Sequence, residues 1–150
     1  MSALNSLRLA IEVAARARDQ ADQAWVQAQR AVTQAQAQLD QLASYASDTD
    51  ARWATAAAVT VSAELMSHHQ HFMIRLRQAI GMQGGVIMDL ERQAEGARQR
   101  RVQQEVRLKA LQQLLEKKHA AWVQRQARLE QKQMDELAVL GYARRAGMAG

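Results

Sequence analysis

Three histidines crowd into the five residues from Ser67 to His71, written SHHQH, and imidazole is among the commonest ligands of zinc and other transition metals. On a helix, His68 and His71 share a face at three-residue spacing, with His69 turned aside. A metal site needs more than two ligands. The chain has no cysteine, and no carboxylate pair near the histidines completes a set, so side-chain packing or plain solvent exposure is favoured over metal binding. Other chemistry is not encoded. No Gly-rich phosphate loop follows a strand, no nucleophile and base can be paired, and the carboxylates are scattered among lysines and arginines. The sequence reads as a non-enzyme with no cofactor.

A second stretch carries spacing of another kind. LEQKQMDELAVL, Leu129 to Leu140, is too polar for a core and too regular for a tail. At about 100° per residue, Gln131 and Asp135 fall nearly opposite the apolar stripe, whereas Met134, Leu137 and Leu140 stay closer to it. Gln131 with Asp135, and Lys132 with Glu136, are four residues apart and can pair along the helix. Spacing alone leaves two meanings open, a solvated face steadied by local pairs or a surface for a partner.

Composition says which elements must position these residues. Hydrophobic residues make up 48% of the 150 residues but aromatics only 4%, and proline is absent. The apolar share is therefore carried by Ala, Leu, Val and Met, which suit long helices rather than sheets. No signal-peptide run opens the chain, and nowhere do eighteen apolar residues follow one another, which predicts a soluble, cytoplasmic protein. A net charge of +5 favours acidic partners in general. Nucleic acid is not expected among them, because Glu and Asp interleave with the basic residues and stacking aromatics are few.

Stepping three then four residues from Leu4 meets Leu7, Ile11, Ala14, Arg18, Ala21, Trp25, Ala28, Val32, Ala35, Leu39 and Leu42. That is a heptad seam, one column bulky and the other mostly alanine, suited to a closely approaching partner helix. Beyond Tyr45, Ser47 to Asp50 offer capping and turn chemistry, and Val59, Thr60 and Val61 are poorer helix formers. Heptads resume through Leu65, His69, Phe72, Leu76, Ala79, Gln83, Val86 and Leu90. They cross Gly81, Gly84 and Gly85, which read as a soft point in one helix rather than a second turn because the register survives them. From Leu108 one column continues as Leu115, Trp122 and Leu129 while its companion runs Leu111, Lys118, Arg125 and Lys132. Trp25 and Trp122 sit in the large-residue columns and predict packing; Trp53 falls in the expected tip.

The predicted fold is all-α, a single long antiparallel two-helix coiled-coil hairpin over residues 1–150. Helix one is expected at about 3–46, the tip at about 47–62 and helix two at about 63–141, followed by a short flexible tail. The stripe of Phe72, Leu76, Ala79 and Gln83 is read either as seam or as partner surface.

The segment EQKQMDELA, Glu130 to Ala138, near the end of such a chain resembles the signature of the FliJ family, the coiled-coil component of the bacterial flagellar type III export ATPase complex. LRLAIEVAARARDQADQAWVQAQ resembles that family's opening helix, and HFMIRLRQAI the segment after its tip; together the likeness runs from about Leu4 to Ala138. It implies a hairpin similar to the central stalk of rotary ATPases. Its terminal end would enter the hexameric flagellar export ATPase, with Gln131, Lys132, Asp135 and Glu136 on that side and Arg8, Arg16, Arg18, Arg144 and Arg145 adding charge. Phe72, Leu76, Ala79 and Gln83 would face the cytoplasmic domain of the export gate. The resemblance extends to escorting export chaperones and to a place at the flagellar base, peripheral to the inner membrane. The alternative is a structural coiled-coil rod or homodimer with no export role.

Overall fold

The structure, a computed structural model, describes residues 2–57 and 61–149, and for 57, 148 and 149 the backbone only. Two helices account for almost all of it, α1 over Ser2–Ala57 and α2 over Ala63–Ala149. Among the described residues there is no strand and no positive φ. Favourable propensities and the lack of proline let the backbone bonds run on without interruption. Ser62 starts α2: its Oγ accepts from the Leu65 amide at 3.2 Å and its carbonyl accepts from the Met66 amide at 3.1 Å. Glu64 in the first turn adds negative charge at the positive end of the helix dipole.

The chain divides into two compact units, one of Arg18–Gln103 and one of Met1–Ala17 with Gln104–Gly150. In the first, α1 and α2 run antiparallel. Asp22 meets Arg101, Ala35 meets Gln83, Tyr45 meets Phe72 and Trp53 meets His69, so positions rise on one helix as they fall on the other. The α1 side of this seam is the one read from the sequence, every member from Arg18 to Leu42 being buried or half-buried. It does not stop there. Ala46, Thr49 and Trp53 carry it on at the same spacing, and α1 ends at Ala57 rather than near 46.

The tip expected over 47–62 is thus corrected for its first half. Ser47, Asp48 and Asp50 are exposed positions of a continuing helix, where short polar side chains cost only a few tenths of a kcal/mol, roughly, against better helix formers. Val59 and Thr60 lie outside the described residues. The tail expected after 141 is likewise helical, to Ala149.

On α2 one predicted column holds and its companion does not. His69, Leu76, Gln83 and Leu90 are buried or half-buried, but the other seam column is Met73, Ile80, Ile87, Ala94 and Arg101. Phe72, Ala79 and Val86, one residue earlier in each heptad, are exposed. Gly81, Gly84 and Gly85 lie inside the unbroken helix. A Cβ at any of them would meet nothing within 4 Å, so close packing is not what selects glycine there.

Polar residues in this seam tie the two helices together. Gln83 donates from Nε2 to the Ala35 carbonyl at 3.0 Å and to Gln38 Oε1 at 3.1 Å. Arg101 Nε donates to Asp22 Oδ1 at 2.7 Å while its guanidinium lies 4.7 Å from the Trp25 ring centroid. Such bonds add little net stability where half exposed, but they penalise a slipped register by leaving a polar group without its partner.

In the second unit, Leu4, Ala14 and Leu108 are buried, and Leu7, Ile11, Leu111 and Leu115 half-buried. Here α1 runs out. From Glu116 to Gly147 every residue of α2 is exposed except Trp122 and Gly141, which are partly covered.

Candidate partner-binding surfaces

Among the described residues, the polar stretch from Leu129 to Leu140 is covered by no other part of the chain. Gln131, Lys132, Asp135 and Glu136 are all exposed, and Gln131 donates from Nε2 to Asp135 Oδ1 at 3.1 Å along the helix surface. Lys132, Asp135 and Glu136 border a shallow groove with Val139 and Leu140. The apolar neighbours are just as open, Leu137 being 67% exposed and Tyr142 76%. Isolated exposed apolar residues are ordinary, but a succession of them on one lone helix leaves that helix with no core to fold against.

The four residues expected to share one face near the tip are separated by the structure. Leu76, 9% exposed, belongs to the seam, and Gln83 is spent on Ala35 and Gln38. Phe72, 37% exposed, sits beside the seam with its ring edge-on to Tyr45 at 6.2 Å. Ala79 is exposed. Beyond them α2 presents Ile74, Met82, Val86 and Met88 to solvent. The sequence could not separate the two sets because Phe72, Met73 and Ile74 are consecutive apolar residues, and any of them can start a heptad.

The histidines part company too. His69 stacks on Trp53 and its Nε2 lies 3.6 Å from Asp50 Oδ1, a carboxylate that also reaches Arg77 Nη2 at 3.6 Å. His71 Nδ1 lies 2.8 Å from the Ser67 carbonyl, and His68 is exposed. Among the described residues no three His, Cys, Asp or Glu side chains lie close enough to hold a metal ion. The sequence alone does not reveal the Asp50, Trp53, His69 and Arg77 node, because Ser47 to Asp50 carry turn chemistry as readily as they occupy an outward helix face.

One titratable pair departs from ordinary values. The side-chain hydrogen bonds from Arg98, 2.9 and 2.8 Å, hold the Glu95 carboxyl below the usual carboxylate range, and the same contact raises the Arg98 guanidinium. Both side chains lie at the surface, about half exposed, so this is local surface chemistry of α2 and not an acid poised for catalysis.

A family model described as flagellar FliJ protein matches residues 2–147. The chain belongs to the FliJ family. No curated protein and no solved structure matched it. Membership makes the chain a component of the flagellar export apparatus. The FliJ match takes in both helices and the lone segment after Trp122, so that segment is part of the family pattern and not an appendage to it. No described helix of this FliJ chain is long and apolar enough to cross a membrane.

Proposed function

We propose that this FliJ-family chain is the non-enzymatic stalk of the flagellar export machinery, joining the hexameric export ATPase to the cytoplasmic domain of the export gate and escorting export chaperones. The observation that carries the reading is the lone helix after Trp122. It holds Gln131, Lys132, Asp135 and Glu136 on a helical backbone with no other helix among the described residues to compete for them, which is what a segment entering a ring of other subunits requires. On the gate side, Phe72 and Ala79 offer the accessible surface while Leu76 and Gln83 fix the helix that presents them. The site of action is the flagellar base, peripheral to the membrane.

The experiment is a titration of the purified chain against the hexameric flagellar ATPase, reading binding and ATP turnover for wild type and for the Gln131→Ala, Asp135→Ala double variant. Helicity should be retained, since exposed substitutions usually shift stability by less than about 0.5 kcal/mol, and binding should weaken several-fold. Undiminished binding by the double variant, or by a chain truncated after Trp122, would remove the stalk reading. The rival rod built as a parallel full-length dimer gains no support from α1, whose seam is already covered in cis by antiparallel α2 over Arg18–Gln103.

A further inference from the structure

We propose that the face of α2 from Leu115 to Lys132 is a docking site for an acidic amphipathic helix of another protein. Two observations point to it. The first is continuity. Counted from Trp122 at about 100° per residue, Leu108, Leu111, Leu115, Leu129 and Leu140 all fall within about 40° of it, and Leu137 at about 60°. Leu108 is buried, and Leu111 and Leu115 half-buried, in the unit that includes the start of α1. Leu129, Leu137 and Leu140 prolong the same stripe in the open. A stripe that continues past its intramolecular partner is the seam for a second helix.

The second observation is charge. The seam column that reads Leu76, Gln83, Leu90, Ala97, Gln104 and Leu111 changes at its next steps to Lys118, Arg125 and Lys132. The change comes where α1 no longer covers α2, so no intramolecular packing is lost by it. Among the described residues none of these three cations has an ion pair or a side-chain hydrogen bond. They line one edge of Leu115, Trp122 and Leu129 at heptad spacing. Glu116 and Glu130 lie toward the other edge. A second copy packed antiparallel on this face would bring its own basic edge against the first, and one packed in parallel would set three cations against an edge of Glu116, Val123 and Glu130 that matches them only in part, so the favoured occupant is a foreign helix with an apolar stripe, acidic residues along the side that meets the cations, and none opposite Glu130. Gln131 and Asp135 point the other way, so the inference does not rest on the ATPase contact proposed for them; Lys132, placed with them on the ATPase side, lies at the border of the two surfaces.

The test uses the full chain and a labelled synthetic amphipathic peptide of about four heptads, carrying a Leu stripe with Glu along one edge, against the same peptide with Lys in place of Glu. Fluorescence anisotropy should show the acidic peptide binding at least tenfold more tightly than the basic one, with affinity falling as salt is raised. The triple variant Lys118→Glu, Arg125→Glu, Lys132→Glu should reverse the preference, a gain of binding that misfolding cannot produce. Gln131→Ala with Asp135→Ala should leave peptide binding unchanged. Equal binding of the two peptides, or of neither, overturns the proposal. So does sedimentation showing that the chain dimerises through this face and excludes the peptide, which would make a second copy the occupant.

Discussion

Trp53 near the end of α1 and His69 near the start of α2 stack face to face, with ring centroids 4.2 Å apart and planes 5° from parallel. Asp50, one turn before Trp53, lies 3.6 Å from both His69 Nε2 and Arg77 Nη2. In a pair of helices joined at one end, the last cross-helix contacts resist fraying where each helix has fewest neighbours. Trp53→Ala should therefore cost about 1–2 kcal/mol in urea melts, combining lost area with the stacking preference. His69→Phe should cost less than His69→Ala. If the two histidine variants melt alike, the ring contact contributes nothing.

Gly81, Gly84 and Gly85 lie in an unbroken helix with open space where each Cβ would be. Replacing all three by alanine should raise the thermal midpoint, each contributing up to about 1 kcal/mol from propensity. Circular dichroism measures this directly. A lowered midpoint would mean that glycine serves a close approach not present in the isolated chain.

Leu76 and Phe72 lie one helical turn apart but differ in burial, and their truncations should part accordingly. Leu76→Ala should lose about 2–3 kcal/mol, the lower part of the range for buried leucines because a two-helix seam can close partly around the gap. Phe72→Ala should lose much less, while weakening binding to the gate's cytoplasmic domain tenfold or more if it is an interface anchor. Denaturant curves run beside gate titrations separate the two roles; a large loss of stability for Phe72→Ala with unaltered affinity would place it in the seam.

Glu95 is held below the ordinary carboxylate range by its hydrogen bonds to Arg98. A carboxyl lowered in the folded chain contributes stability above its unfolded value and loses that contribution as pH falls through the lowered one. The helix around Glu95 should thus be slightly more protected at neutral pH than near pH 3. Replacing Arg98 by Met should raise the Glu95 titration midpoint in carbon-detected NMR, and an unmoved midpoint would show that the pair does not persist in solution.

How far the sequence could be read follows from what each residue type restricts. The α1 seam is legible from Leu4 to Leu42 because its residues recur at three- and four-residue steps over many turns, whereas the off-seam Leu9, Val13 and Val26 have polar residues seven positions on. Its extension through Ala46, Thr49 and Trp53 was hidden by Ser47 to Asp50, whose turn chemistry is equally acceptable on an outward helix face. On α2 the runs Leu65–Met66 and Phe72–Met73–Ile74 admit two heptad registers, and only contact with α1 chooses Met73. The outward aim of Gln131 and Asp135 was readable from angular position alone. That their whole segment lacks a partner was not, because it depends on where the other helix ends.

Antiparallel pairing over Arg18–Gln103 makes lengths on the two sides interdependent. Seven residues added to α1 between Trp25 and Trp53 demand seven added to α2 between His69 and Arg101, or every cross-helix partner beyond the insertion is mismatched. The stretch after Trp122 obeys no such rule. One residue inserted there leaves the seam intact yet turns everything beyond it by about 100° and advances it by about 1.5 Å. Residue count between Trp122 and Gln131 therefore works as a protractor, setting the compass bearing from which a partner meets Gln131 and Asp135, and lineages can retune that bearing without disturbing the hairpin that supports it.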